Sequence, residues 1–153
     1  VRYICVLDVL AVPVINDNPD YKSEIGKGIT LKEGKDMTIY RHRTFVFPNL
    51  WKLQKCWKLI IDARVINIHT IKPLDEALVV KAAKETGRVF TVEEHSIIGG
   101  LEAQSAIHYP QAPAKVTKIG VEDTYGESGP AAELIHKYGL DAEGIYKKIK
   151  ASL

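Results

Sequence analysis

Cysteine is nearly absent from this chain: Cys5 and Cys56 are the two in 153 residues. Thiols so few and so far apart build no disulfide framework and match no metal-ligand spacing, so a reduced, cytoplasmic setting is expected. Charge of one sign is scarce too. A net charge of +2 is too small by itself to draw the chain to nucleic acid or to an anionic membrane. No apolar run approaches the ~20 residues a membrane span requires, and no charged-then-apolar leader opens the chain, so no membrane association is expected. There is no Gly-x-Ser-x-Gly elbow, P-loop or Cys–His pair to support an independent nucleophile. Internal repeats and low-complexity tracts are missing. What remains, 46% hydrophobic and 26% charged, suits one globular domain able to bury about two-thirds of its unfolded surface. The first residue is Val rather than Met, which fits a fragment or a processed product.

Residues 1–12 are apolar with little periodicity, and 13–22 are rich in Pro, Asn and Asp, as expected of an arm or linker lying on a surface. Two short β-type runs, 28–32 and 36–40, flank Glu33-Gly34 and predict a hairpin, hence at least one antiparallel strand. The expected division is therefore 1–35, an arm with the first hairpin strand, and 36–153, an α/β domain. Leu50, Leu53, Trp57, Ile60 and Ile61 recur at helical spacing, and 63–68 reads as a buried strand. A helix starts after Asp75, with Ala77, Val80, Ala82 and Ala83 as its inner face and Gly87 as its stop. Strands follow over 88–92 and 115–121. After a polar loop at 123–129, Pro130 opens a short helix ending near Tyr138-Gly139, and Asp141 caps a last helix through Lys150. Strands alternating with helices of this length imply right-handed crossovers and a mostly parallel sheet covered on both faces.

The stretch that draws chemical interest is Glu93-Glu94-His95-Ser96-Ile97-Ile98-Gly99-Gly100-Leu101. A strand, a polar turn and a helix start place carboxylates and an imidazole at a strand's carboxyl end, where open α/β sheets hold ligands. The glycines allow close approach or leave N–H groups free for an anion. The candidate sheet-edge group is His69, Glu94, His95, Ser96, Gly99, Gly100 and Asp123. His95 beside Glu93 and Glu94 suits a proton shuttle or a metal ligand, and His69 reaches the same edge from its own strand. A zinc site wants three or four convergent ligands, and only His69, His95 and Asp123 offer themselves. The plain alternative is a tight connection with a solvated polar rim and histidines that merely fix turns. No catalytic, cofactor-binding or metal residue is assigned within the chain. Arg41, His42, Arg43, Lys52, Lys55 and Lys58, interleaved with Phe45, Phe47, Trp51 and Trp57, form a basic aromatic patch of the kind that grips single-stranded nucleic acid. Its alternative is an amphipathic helix with a lysine face, and no nucleic-acid partner is expected.

Four stretches, in order and over more than half the chain, resemble the C-terminal domain of transketolases: Ala63-Arg-Val-Ile-Asn-Ile-His-Thr-Ile-Lys-Pro-Leu-Asp75, Thr91-Val-Glu-Glu-His-Ser-Ile-Ile-Gly-Gly-Leu101, Ile119-Gly-Val-Glu-Asp-Thr-Tyr-Gly-Glu-Ser-Gly129 and Lys137-Tyr-Gly-Leu-Asp-Ala-Glu-Gly-Ile145. The resemblance implies a three-layer α/β/α domain on a five-stranded mixed sheet, four strands parallel and one antiparallel. It implies membership of a homodimeric enzyme of the pentose phosphate pathway that moves two-carbon ketol units between sugar phosphates. In that family thiamine diphosphate and a divalent metal, Mg or Ca, sit between pyrophosphate- and pyrimidine-binding domains that this chain lacks, so the chain alone is expected to be inactive. The equivalent domain of deoxyxylulose-phosphate synthase or of a 2-oxo acid dehydrogenase β subunit is the near alternative. A free-standing α/β binding module is the alternative from another class.

Two stretches depart from the pattern. Tyr40-Arg-His-Arg43 and Trp51-Lys-Leu-Gln-Lys-Cys-Trp57 stand where the family has Ile-Ala-Thr-Gly and a Glu-Ala-Ala-rich helix, and Gly100-Leu-Glu-Ala-Gln-Ser105 stands where it has Gly-Leu-Gly-Ser-Ala-Val. Each family motif reappears when codons for the present residues are read in another frame: TATCGCCACCGG, read one nucleotide later, gives Ile-Ala-Thr-Gly. Out-of-frame translation over about 40–60 and 102–112 is therefore an expectation of the sequence.

Overall fold

The computed structural model describes residues 22, 24–42, 61–101, 103 and 112–153. The arm at 13–21, both cysteines, most of the basic aromatic patch and the helical spacing of Leu50 to Ile60 lie outside the described residues, as do 43–60 and 104–111 of the two departures.

Five strands form one sheet: β1 (Ile29–Lys32), β2 (Met37–His42), β3 (Ala63–Asn67), β4 (Arg88–Ser96) and β5 (Lys115–Val121), in the order β1-β3-β2-β4-β5. β2 pairs in parallel with both β3 and β4, and β4 in parallel with β5, while β1 runs antiparallel to β3. The expected three-layer, mostly parallel architecture is thus observed. The period-2 alternation of side chains sorts the core into two halves. Met37, Ile39, Val65, Phe90, Val92 and Ile119 pack on one face against Leu140, Ile145 and Ile149. Tyr40, Ile66, Ile68 and Val89 pack on the other against Val79, Ala82 and Ala83.

The helix carrying Val79, Ala82 and Ala83 is α1 (Glu76–Thr86). Asp75 caps it, accepting the Leu78 N–H at 3.2 Å, and Gly87 ends it in the left-handed conformation, φ 63°, with its own N–H returned to the Ala83 carbonyl. Its buried face is Val79, Ala82 and Ala83. Ala82 and Ala83 were assigned to that face from the sequence; Ala77, also assigned to it, is exposed and Val80 only half-buried, with Val79 taking the inward position instead. Tyr40 reaches across the layer to donate to the Val79 carbonyl at 2.8 Å, tying α1 to the central strand. On the opposite face α2 (Ala131–Lys137) and α3 (Ala142–Ser152) follow β5, and Asp141 caps α3 through the Gly144 N–H at 2.8 Å.

The predicted 28–40 hairpin does not form. β3 lies between β1 and β2. The turn after β1 wraps over the start of β3, where the N–H groups of Lys35 and Asp36 both donate to the Asp62 carbonyl at 3.0 Å and the Asp62 N–H donates to the Asp36 carboxylate at 2.7 Å. Gly34 makes this possible, since a Cβ there would stand 2.3 Å from the Ala63 carbonyl carbon. Burial explains the order: β2 is buried along its length except at its last residue and takes the centre, whereas half-buried β1 suits an edge.

Candidate functional site

The chain leaves β2 toward β3 and leaves β4 toward β5, so the topological switch point of the sheet lies between the carboxyl ends of β2 and β4. Arg41 and His42 stand there in register with Val92 and Glu93. β4 also runs further than the sequence suggests. Glu93, Glu94, His95 and Ser96 continue the strand instead of opening the turn, and Ser96 pairs with Val121 beyond an irregularity in the ladder.

Glu93 organises the connection that follows. Alternation along β4 points it inward with Val89 and Thr91, and it is 5% exposed. Its carboxylate accepts the Leu101 N–H at 2.7 Å, and Gly100 presses against it so closely that a Cβ would fall 2.6 Å from Oε1. The first N–H beyond the glycine pair, that of Leu101, is therefore taken by the chain's own carboxylate. With the Glu93 carboxyl group packed against Gly100 and the Leu101 donor engaged, this turn does not fit the phosphate end of thiamine diphosphate. Gly99 adopts φ 75°, and the Ser96 hydroxyl accepts the Ile98 N–H at 3.1 Å, which fixes the turn.

His69 follows β3, separated from β4 by the whole of β2. Its Nδ1 shares a 2.9 Å hydrogen bond with the Thr70 hydroxyl, and its Nε2 is buried without a hydrogen-bond partner among the described residues. Its neighbour is His42, whose Nδ1 donates to the Ile68 carbonyl at 2.8 Å. Burial, and then the charge of His42, hold the His69 pKa below the ordinary imidazole value. Asp123 stands on the exposed loop after β5. The predicted group thus shares one edge of the sheet but is spread along it: His69 beyond β3, then, past Arg41 and His42 of β2, Glu94, His95 and Ser96 of β4 with Gly99 and Gly100 after them, and Asp123 beyond β5. Among the described residues no three His, Cys, Asp or Glu side chains converge well enough to hold a metal ion. Arg41, counted in the basic patch, is 1% exposed and so offers no surface cation. This role of Glu93 was missed from the sequence alone; the signal that could have shown it is a carboxylate at an inward position of a strand, which calls for a nearby N–H.

The family model described as transketolase, C-terminal domain, matches residues 26–145. The chain belongs to the transketolase C-terminal domain family. Within that family it is 39% identical over 137 residues to a subunit of the apulose-4-phosphate transketolase of Phocaeicola vulgatus, covering 90% of this chain and 44% of that protein. It is 35% identical over 133 residues to 1-deoxy-D-xylulose-5-phosphate synthase 1 of Geobacter metallireducens, covering 82% of this chain and 21% of the synthase. A solved structure described as a split gene transketolase, inactive beta4 tetramer, superimposes with a TM-score of 0.81 at 39% identity, over 92% of this chain and 46% of that one. The transketolase C-terminal domain described above therefore spans less than half the length of each of these relatives. No helix among the described residues is long and apolar enough to cross a membrane.

Proposed function

We propose that the chain is the C-terminal portion of a transketolase that transfers two-carbon ketol units between sugar phosphates in the cytoplasm, within a homodimeric pentose-phosphate enzyme. The observation that carries this reading is the family match over 26–145 together with a relative named as one subunit of a transketolase. Thiamine diphosphate and its divalent metal, Mg or Ca, belong in this reading to the pyrophosphate- and pyrimidine-binding portions of the enzyme. Here the domain's work is packing and assembly, and the chain alone is inactive. The sheet-edge residues His69, Glu94, His95, Ser96, Gly99, Gly100 and Asp123 then form a contact surface, with Glu93 holding their turn in shape.

The test is reconstitution. The chain is assayed for ketol transfer between a ketose phosphate and an aldose phosphate, first alone and then with the thiamine-diphosphate-binding subunit from the same genome. Turnover in the mixture, with none from the chain alone, is expected. Turnover by the chain alone, or no association between the two, overturns the reading. The deoxyxylulose-phosphate synthase relative supports a second reading, for which the readout is formation of 1-deoxy-D-xylulose 5-phosphate by the reconstituted enzyme.

A further inference from the structure

Among the described residues four large hydrophobic side chains are exposed: Ile25 at 58%, Ile98 at 62%, Tyr125 at 97% and Leu153 at 52%. The topology puts the first three at one end of the sheet. Ile29 pairs with Asn67 at the end of β3, so the turn bearing Ile25, just before antiparallel β1, stands beyond the carboxyl ends of the parallel strands. Ile98 follows β4 and Tyr125 follows β5 at the same end. Leu153 lies at the other end, where the Lys115 ammonium at the start of β5 donates to the Ser152 carbonyl at 2.7 Å.

All three are held in place by hydrogen bonds to their own turns. The Ile25 turn is anchored by the Gly28 N–H donating to the Asp75 carboxylate at 3.0 Å. The Ile98 turn is pinned by Ser96. The loop bearing Tyr125, exposed throughout 122–130, is fastened at Glu127, which accepts from the Lys137 ammonium at 2.6 and 2.8 Å and from the Tyr138 hydroxyl at 3.5 Å. Apolar side chains on a pre-ordered backbone lose little further entropy on being covered, and tyrosine is among the residues that dominate interface energies. The row crosses five strands, about 19 Å, a dimension suited to a standard protein–protein patch.

We infer that this end of the sheet docks on the thiamine-diphosphate-binding portion of the enzyme, with Ile25, Ile98 and Tyr125 as its apolar anchors. The inference rests on the functional reading above, and the relatives' greater length supplies the occupant. Charge favours that occupant over a second copy. Exposed Glu122 and Asp123 precede Tyr125, so a two-fold axis through this loop sets acid against acid, whereas a surface with apolar sockets rimmed by Lys or Arg complements it.

The test measures the affinity of the 153-residue chain for the thiamine-diphosphate-binding subunit from the same genome, with sedimentation of the chain alone in parallel. Ile25→Asp, Ile98→Asp and Tyr125→Ala combined raise Kd at least about tenfold, while Leu153→Asp leaves it unchanged; circular dichroism verifies that each variant folds. If wild type and triple variant bind equally well, the functional reading stands and the docking face falls. If wild type does not bind at all, the functional reading fails and takes this proposal with it. If the triple variant instead dissolves a self-associated form of the wild type and leaves its affinity for that subunit intact, the face is occupied by a second copy and the proposal is wrong.

Discussion

Arg41 carries the sharpest energetic prediction. It lies near the carboxyl end of the central strand, 1% exposed, on the face where Met37 and Ile39 pack against α3. Burial draws its pKa well below the ordinary arginine value, to about 10. At about 1.4 kcal/mol per pKa unit, that fall amounts to about 3 kcal/mol disfavouring the cation in the folded chain. Methionine has similar reach and no charge, so it removes the dehydration cost of the cation, while whatever faces the guanidinium loses its contact at the same time. The polar contacts of the guanidinium offset part of the gain, so Arg41→Met is expected to stabilise by about 1–3 kcal/mol and to raise Tm by about 5 °C. The pH dependence has a definite sign. The folded-state pKa lies below the unfolded one, so the wild type carries its full penalty at every pH below about 10, where the arginine is charged in both states. It regains stability only as pH climbs past about 10. The gap between variant and wild type should be flat through neutral pH and narrow above that value. Urea unfolding followed by circular dichroism measures it. A methionine variant less stable than wild type by more than about 1 kcal/mol would refute the reasoning, because the contacts of the guanidinium would then outweigh its dehydration.

Three further outcomes are expected. Glu93→Ala strips the buried Leu101 N–H of its acceptor and should cost about 1–3 kcal/mol, with faster amide exchange at Leu101 as the local readout; unchanged exchange would mean another group holds that N–H. Gly34→Ala should cost about 2–3 kcal/mol or prevent folding, because the new Cβ meets backbone atoms of Ala63 and Arg64 that cannot move aside; a thermal melt like that of wild type would exclude the wrapped turn. His136 bonds the Asp141 carboxylate at 2.6 Å, and that hydrogen bond, then the charge of Asp141, raises its pKa above the ordinary imidazole value. Its contribution to the α2–α3 junction is therefore complete at acid pH and fades as pH rises through the raised pKa. An NMR titration should show that elevation vanish in Asp141→Asn, and an unchanged His136 titration would contradict the pairing.

Layering and strand direction were legible because they follow from alternation and from chain punctuation. Asp75, Gly87, Pro130 and Asp141 mark helix ends as capping chemistry requires, and α1, α2 and α3 begin beside them or stop there. Pairing was less legible. Two β-type runs joined by Glu-Gly have the local form of a hairpin, yet nothing in either run records that a third strand, far along the chain, will separate them. The candidate edge was found because its residues cluster at strand ends. What went unseen was Glu93 as the partner of its own turn and Arg41 as a buried cation: both depend on which face of a strand meets the core, and a one-residue error in placing the strand's end reverses that face.

The separation of β1 from β2 sets the order in which the sheet can assemble. No two strands adjacent in the sheet are joined by a short turn: β1 waits for β3, β2 waits for β3 and β4, and β4 waits for β5. Every ladder must close a long loop before it returns any free energy, so this sheet has no local nucleus from which to zip. During synthesis β2, the strand buried along most of its length, emerges well before either partner that will flank it. Its exposure over that interval makes it the segment most in need of shielding from association with other chains.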